Sequence, residues 1–443
     1  MSTVTMTRTP HKCIATVANA IRSGSERRYS RVNRIALAEA VSAFHSRTGL
    51  APARFDMQLE AIRGGATIVR LAHQPNFLPY DNLLLQLRYL HHLQQTLLAL
   101  GEHVVSIVFL VDHDVATNRR FRISQVFDPS DKALLRRIRY PVAEPHKQIN
   151  AQPVPSQRYF TELAELIESL SRLLQQDGSR PPRPLSDIAA DLGPPVQPTL
   201  GTTEVTAYAW MRVAYVHGFA PNVLFVPLSA LHGHLRPVYV DLSRQLGPDP
   251  KGFEYYWTVC PSCQGRERIR RNTDCVDADC TNCGLVRQRD PLTDESIRII
   301  PRVALDILAD YVGLDVAGGT SYGSGAPYLS ESARLAQRIG IPVPPEVAWR
   351  VEILHTGLAG VSAYRLRGGS TLPVNLRDIL VTGRMGLAHY LAVHHELSSL
   401  RDAFDLHAVD SRIPDSIEID PHAATQLKSW LRSSMTHRSE ARQ

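Results

Sequence analysis

The sequence predicts an α/β fold built on a parallel sheet, and three stretches carry that expectation. Val104–Val111 (VVSIVFLV) is almost continuously apolar, the pattern of a strand covered on both faces. Thr67–Ala72 (TIVRLA) is a second such run, and the stretch after it, Asn82–Leu98, has the apolar spacing of a helix. Asn222–Leu228 is a third apolar strand, preceded by a helical pattern over Thr203–Val216. Strands alternating with helices of this length indicate βαβ units.

A chain of 443 residues has room for two or three domains and a sizeable core. Its 44% apolar and 21% charged residues are ordinary for a globular protein. No run approaches the roughly 18 to 20 apolar residues needed to cross a bilayer. The N-terminus, MSTVTMTRTPHKC, lacks the apolar core of a secretory signal, so a cytoplasmic location is expected. The net charge of +6 is spread over the whole chain and carried mostly by Arg, with Lys only at 12, 132, 147, 251 and 428. It is therefore a weak argument for nucleic-acid binding.

Taken in order, residues 1 to about 30 read as frayed, with Ser, Thr and Arg predominating. Helical stripes at 34–47 and 55–62 complete an N-terminal helical extension, 1–64. The first part of the core, 65–255, opens with a strand at 67–72, a loop at 73–81 and a helix at 82–100, with Gly101 as a C-cap. A polar, Pro-bearing stretch (128–157), a helix over Tyr159–Gln176 and a crossing with six Pro (177–200) follow the second strand. A cysteine-rich insert occupies 256–292. The second part of the core, 293–345, holds a helix at Arg302–Tyr311, a Gly-rich loop at Gly318–Gly325 and a helix at Tyr328–Ile339. The region 346–443 reads as helical, notably Leu376–Leu400, with a disordered tail after Ser433. No internal repeat is present.

Cys260-Pro-Ser-Cys263 and Cys280-Thr-Asn-Cys283 are two CxxC pairs separated by sixteen residues. Each pair can turn both sulfurs toward one ion, and together they supply the four thiolates of a closed, structural zinc site. A disulfide is the alternative, disfavoured in a reducing compartment. Cys275 competes with Cys280 in principle, but the complete pairs have the better spacing. Between the knuckles lies Arg266–Arg271 (RERIRR), which either stiffens the insert or grips phosphate, as of RNA.

Three polar stretches can carry chemistry. His73, in LAHQPNFLPYD, follows a buried strand and opens a helix, where α/β folds place ligand groups; a satisfied core histidine is the bland reading. Asp112-His113-Asp114 ends the next strand, and two carboxylates flanking an imidazole can orient an amine, tune the imidazole or bind a cation. The alternative there is an Asp capping the following helix. Gly318-Gly319-Thr320-Ser321-Tyr322-Gly323-Ser324-Gly325 can bring backbone N–H groups to an anion, or can simply be flexible.

With HQPNFLPYDN (73–82), FLVDHDVATN (109–118), APNVLFVPL (220–228) and the glycine segment 318–328, the chain resembles the bacillithiol-biosynthesis cysteine-adding enzyme family (BshC-like) over roughly residues 65–345. The resemblance implies a Rossmann-like core akin to class I aminoacyl-tRNA synthetases, and a ligase joining cysteine through an amide to an amine-bearing acceptor. The cysteine-rich insert departs from that family's pattern and is similar instead to zinc-bearing inserts of class I synthetases. No KMSKS-like lysine loop is present, which puts ordinary ATP-dependent adenylation in doubt. HQPNFLPY with NRRFRIS (118–124) also looks like the WbqC-like family of sugar-pathway proteins.

The expectation is thus a C–N ligase. His73, Asp112, His113 and Asp114 would orient and deprotonate the amine. Gln74, Asn76, Asn118, Gly318, Gly319, Ser321 and Tyr322 would bind substrate. Amide formation needs an activated carboxyl, from ATP or from a pre-activated donor such as an aminoacyl-tRNA held by the insert. An RNA-binding protein with a non-catalytic synthetase-like fold is the competing class.

Overall fold

The computed structural model describes residues 10–23, 31–75, 81–116, 123–127, 135–139, 142, 144–156, 158–159, 161–162, 165, 200–215, 220–272, 275–322, 326–342, 345–349, 361–366, 371–375 and 417–419. Its centre is a five-stranded parallel sheet of β1 (Thr67–His73), β2 (Val104–Leu110), β5 (Leu224–Pro227), β11 (Val316–Tyr322) and β12 (Glu346–Trp349). The spatial order is β12–β11–β1–β2–β5, so the chain builds outward from β1 in one direction, then returns to build outward in the other. The point where that direction reverses, between β1 and β11, is where open parallel sheets leave a crevice at their carboxyl ends.

All seven residues of β2 are buried, which is why its sequence is apolar without alternation. Helix α4 (Asp81–Ala99) crosses from β1 to β2 and shares one face of the sheet with α1 (Pro10–Ser23). Helices α2 (Arg31–Thr48), α3 (Phe55–Arg63) and α7 (Val303–Leu314) cover the other. Helix α5 (Thr202–Tyr215) precedes β5, α6 (His232–Leu246) follows it, and α8 (Ala326–Arg338) links β11 to β12. Among the described residues, no helix is long and apolar enough to cross a membrane.

The second sheet is antiparallel and spans 253–301, in the order β10 (Ile300–Pro301), β6 (Phe253–Val259), β7 (Arg266–Arg271), β8 (Val276–Cys280), β9 (Val286–Gln288). It is no loose appendage. Tyr255, Tyr256, Ile269 and Ala278 belong to the same buried cluster as Ile68, Ile107 and Leu224 of the parallel sheet. Strands β3 (Ile123–Phe127) and β4 (Leu135–Arg139) pair antiparallel as a separate two-stranded sheet.

Several expectations are corrected here. Residues 10–23 are not frayed: Ile14, Val17, Ala18 and Ile21 form an i, i+3, i+4, i+7 stripe that buries against the sheet. The described part of the expected glycine-rich loop, 318–322, is instead strand, the end of β11, in which Val316–Thr320 are buried. A Cβ on Gly318 would stand 2.5 Å from the Pro345 carbonyl oxygen, and one on Gly319 would stand 2.3 Å from that of Arg70. These glycines exist because two backbones pass too close for a side chain. Gly319→Ala is expected to lower stability by about 3 kcal/mol, the upper end for overpacking, because the obstacle is main chain. A urea midpoint equal to that of the parent would refute this.

Beyond residue 349 the described residues are all strand: β13 (Val361–Leu366), β14 (Thr371–Asn375) and β15 (Ile417–Ile419) form an antiparallel sheet where helix was expected. The helix expected over 376–400 and the tail after 433 lie outside the described residues, as does most of 159–176.

One buried histidine ties helix to sheet. His45 of α2 lies 2.7 Å by Nδ1 from the Leu50 carbonyl oxygen, while its Nε2 accepts the Phe225 N–H of β5 at 3.1 Å. Only the neutral ring with its proton on Nδ1 satisfies both. Burial lowers its pKa to about 4, against the smaller opposing effect of the two backbone bonds. The unfolded chain therefore binds the proton first, and stability falls as pH drops from about 6.5 toward 4, by roughly 3 kcal/mol for the full shift. Denaturant titrations at pH 7 and pH 4.5 should show the loss, and His45→Gln, which can still donate and accept, should flatten it.

Candidate functional site

Because β1, β2 and β5 run parallel, their following loops meet at one edge; His73 is level with Leu110, and Leu110 with Pro227. His73, expected in the loop, is the last residue of β1, and the loop after it contributes Gln74. His73 sits with Nδ1 2.7 Å from the Gln74 carbonyl oxygen, so that nitrogen carries a proton. Its ring meets buried Trp210 of α5 edge-on, centroids 5.6 Å apart.

The second loop contributes Asp112, His113 and Asp114, which take three different environments. Asp112 is 1% exposed, and it accepts the Ser229 N–H at 2.9 Å, the Ser229 hydroxyl, and the Thr203 hydroxyl at 3.3 Å. Burial raises its pKa, opposed by the Ser229 bonds and the field of Arg298. It fastens the loop after β2 to the turn after β5. His113, 2% exposed, lies with Nδ1 3.2 Å from His232 Nε2, and His232 in turn receives Arg298 through Nδ1. Burial first, then the fields of Arg298 and Arg266, lower the His113 pKa to about 3, so the ring is neutral.

Asp114 is half-buried and is gripped from two sides. Gln74 donates to Oδ2; Arg266 donates to Oδ1 at 2.6 Å, and the Val115 N–H also reaches Oδ1, at 2.8 Å. The expected meeting of the His73 loop with the Asp112–Asp114 loop therefore occurs, through the Gln74–Asp114 bond. The third expected wall is different. Gly318 and Gly319 lie within the sheet, and only the carboxyl end of β11, Ser321–Tyr322, reaches this edge. Asn76, Asn118 and Gly323–Gly325 lie outside the described residues.

Arg266 comes from the cysteine segment. Cys260, Cys263, Cys280 and Cys283 place their four sulfurs within 4.8 Å of one another, with Cys260–Cys283 at 3.7 Å and Cys263–Cys280 at 3.5 Å. Four thiolates about 2.3 Å from one tetrahedral ion would be separated by about 3.8 Å, so the set can hold a metal ion such as zinc. A disulfide would need sulfurs about 2.05 Å apart. The two knuckles have like backbones: Gln264 N–H bonds the Cys260 carbonyl and Gly284 N–H the Cys280 carbonyl, with left-handed φ of 58° and 72° at the turning residues. Burial works against ionisation of Cys263, but bonds from Asn282 and the Gly265 N–H bring its thiol down to about 6. Cys275 lies at the other end of β8, beside Asn272 and Asp277, outside this cluster.

The knuckle is fixed to the ligand edge by more than Arg266. His146 Nε2 lies 3.1 Å from the Cys263 carbonyl, and the same segment donates Ile149 N–H to the Asp114 carbonyl at 2.8 Å. The other arginines of RERIRR are largely committed: Arg271 pairs with Glu254 and Asp290, while Arg270 lies over the Phe253 ring. Arg268 and Arg270 are exposed, yet Asp279 and Asp277 stand directly across from them on β8. A phosphate-gripping stripe is thereby reduced.

Sequence reasoning missed Thr203, Ser229, His232, Arg298 and the placement of Arg266. His232 carried a local signal, since SALHGH follows an apolar strand; Arg298 carried none. No family model matches this chain, and no curated protein matches it.

Proposed function

We propose that the chain is a Rossmann-like C–N ligase of the BshC-like kind, forming an amide between an amino acid, cysteine by the resemblance, and a small amine-bearing acceptor. The observation that carries this reading is the convergence of His73, Gln74 and Asp114 with Arg266 at the carboxyl edge of a parallel sheet whose direction reverses beside β1. His73, as the neutral ring with its proton on Nδ1, takes the proton from the attacking amine, and Asp114 orients the ammonium or amine. Asp112 works from behind, holding the loop through Ser229. When bound, ATP or a pre-activated donor such as an aminoacyl-tRNA supplies the activated carboxyl.

Cys260, Cys263, Cys280 and Cys283 would hold zinc as a closed structural ion in a zinc-ribbon insert, where it ties two hairpin ends together and so keeps Arg266 at the edge. The protein incubated with cysteine, ATP and a metabolite extract, with and without tRNA, should give a new amide mass. His73→Ala and Asp114→Asn should each abolish that product while leaving metal content and folding intact. Turnover retained in both variants would defeat the site assignment.

A further inference from the structure

Arg298 lies in the connection between β9 and β10 of the second sheet, and its side chain reaches the first residue of α6. Both Nε and Nη2 donate to one acceptor, Nδ1 of His232, at 3.1 and 2.9 Å. A neutral imidazole has one N–H, so His232 carries its proton on Nε2. That nitrogen faces His113 Nδ1 at 3.2 Å, which must therefore accept, leaving the His113 proton on Nε2. A cation at one end thus fixes both tautomers, and His113 is a donor rather than a base.

The charge at the head of this chain is not met by a carboxylate. Among the described residues Arg298 makes no ion pair, although the acid whose field reaches it, Asp112, lies nearby. Asp112 is occupied by Ser229 and Thr203. The other arginine whose field reaches His113, Arg266, does have a partner in Asp114. Arg298 is exposed as a residue, and among the described residues its Nη1 makes no hydrogen bond. A guanidinium held rigidly by a neutral ring, with donors to spare, is suited to two-point binding of a planar or tetrahedral oxyanion.

We propose that Arg298 is the anion-binding group of this site and takes a carboxylate or phosphate of the ligand, with His232 as the positioning residue that aims it. The inference rests on the placement of the ligand edge, not on which bond is made there. Ligand binding at Arg298 neutralises its field at the two rings, so His232 and His113 report the event without any reaction.

The test uses the metal-loaded full chain, labelled with ¹⁵N, and follows imidazole nitrogen resonances assigned with His113→Gln and His232→Gln. Sodium phosphate and sodium acetate are titrated separately against sodium chloride at matched ionic strength. A saturable shift of both rings with phosphate, acetate or both supports the subsite. Phosphate alone assigns a phosphoryl group and acetate alone a carboxylate. Arg298→Gln should weaken the response at least tenfold, with Arg298→Lys in between. Rings unmoved by either anion, the same shift from chloride, or unchanged affinity in Arg298→Gln would overturn the proposal. Should Arg298→Gln unfold, the titration of the unmodified protein decides alone. Anion binding without amide formation would refute the ligase reading and leave this one standing.

Discussion

Cys260→Ser is expected to strip the metal from the chain and release the first knuckle. Structural zinc held by small folded peptides contributes about 10–16 kcal/mol near neutral pH, as much as the entire stability of an ordinary domain, about 5–15 kcal/mol. Three thiolates are a poor substitute for four in a site with no open position. Here the loss should stay local at first, because Tyr255, Tyr256 and Ile269 anchor the second sheet in the common core. Amide exchange should rise sharply over 260–285, and Arg266 should let go of Asp114. Elemental analysis decides the first point: full metal content in the variant would end the four-cysteine assignment. A chelator acting on the unmodified protein should give the same exchange pattern.

Asp310→Ala should cost about 3–5 kcal/mol, the usual loss when one partner of a buried ion pair is removed. Asp310 of α7 bonds Arg70, in the middle of β1, and their side chains are 0% and 3% exposed. Asp306, one turn earlier, cannot take over readily. Burial, then the charge of Asp310, push its pKa well up, with Arg70 opposing, and its Oδ1 accepts the Tyr239 hydroxyl at 3.5 Å. The double change Arg70→Met with Asp310→Leu should recover most of the loss, because it removes both charges together. Equal destabilisation of the single and double variants in urea would show that the pair is not what the site requires.

How far the sequence disclosed this molecule depends on the range of the forces involved. The apolar run of β2, the helix after β1 and the CxxC spacing are local signals, and each maps onto an element of the expected type. Strand β11 was illegible because its glycines answer to neighbours far along the chain, Ile21, Arg70 and Pro345. Helix α1 did carry its stripe, but polar residues around it concealed four buried positions. Helix α6 contains Gly233 and Pro237, which argue locally against a helix that tertiary packing nonetheless supports. Within the site, His73 and Asp112–Asp114 could be read from their position after apolar strands. Arg266 and Arg298 could not, since nothing in their own neighbourhoods indicates where a guanidinium will end.

The Arg266–Asp114 bond also sets a timetable. Its partners are 152 residues apart in sequence, and the Ser229–Asp112 bond spans 117. Contacts of such separation form late, after local pairings have shortened the loops that must close. During synthesis, the hairpin that delivers Arg266 emerges well after β1 and β2 can pair. The ligand edge therefore matures in steps: Asp112 finds its partners once Thr203 and Ser229 have emerged, whereas Asp114 lacks Arg266 until the second sheet docks.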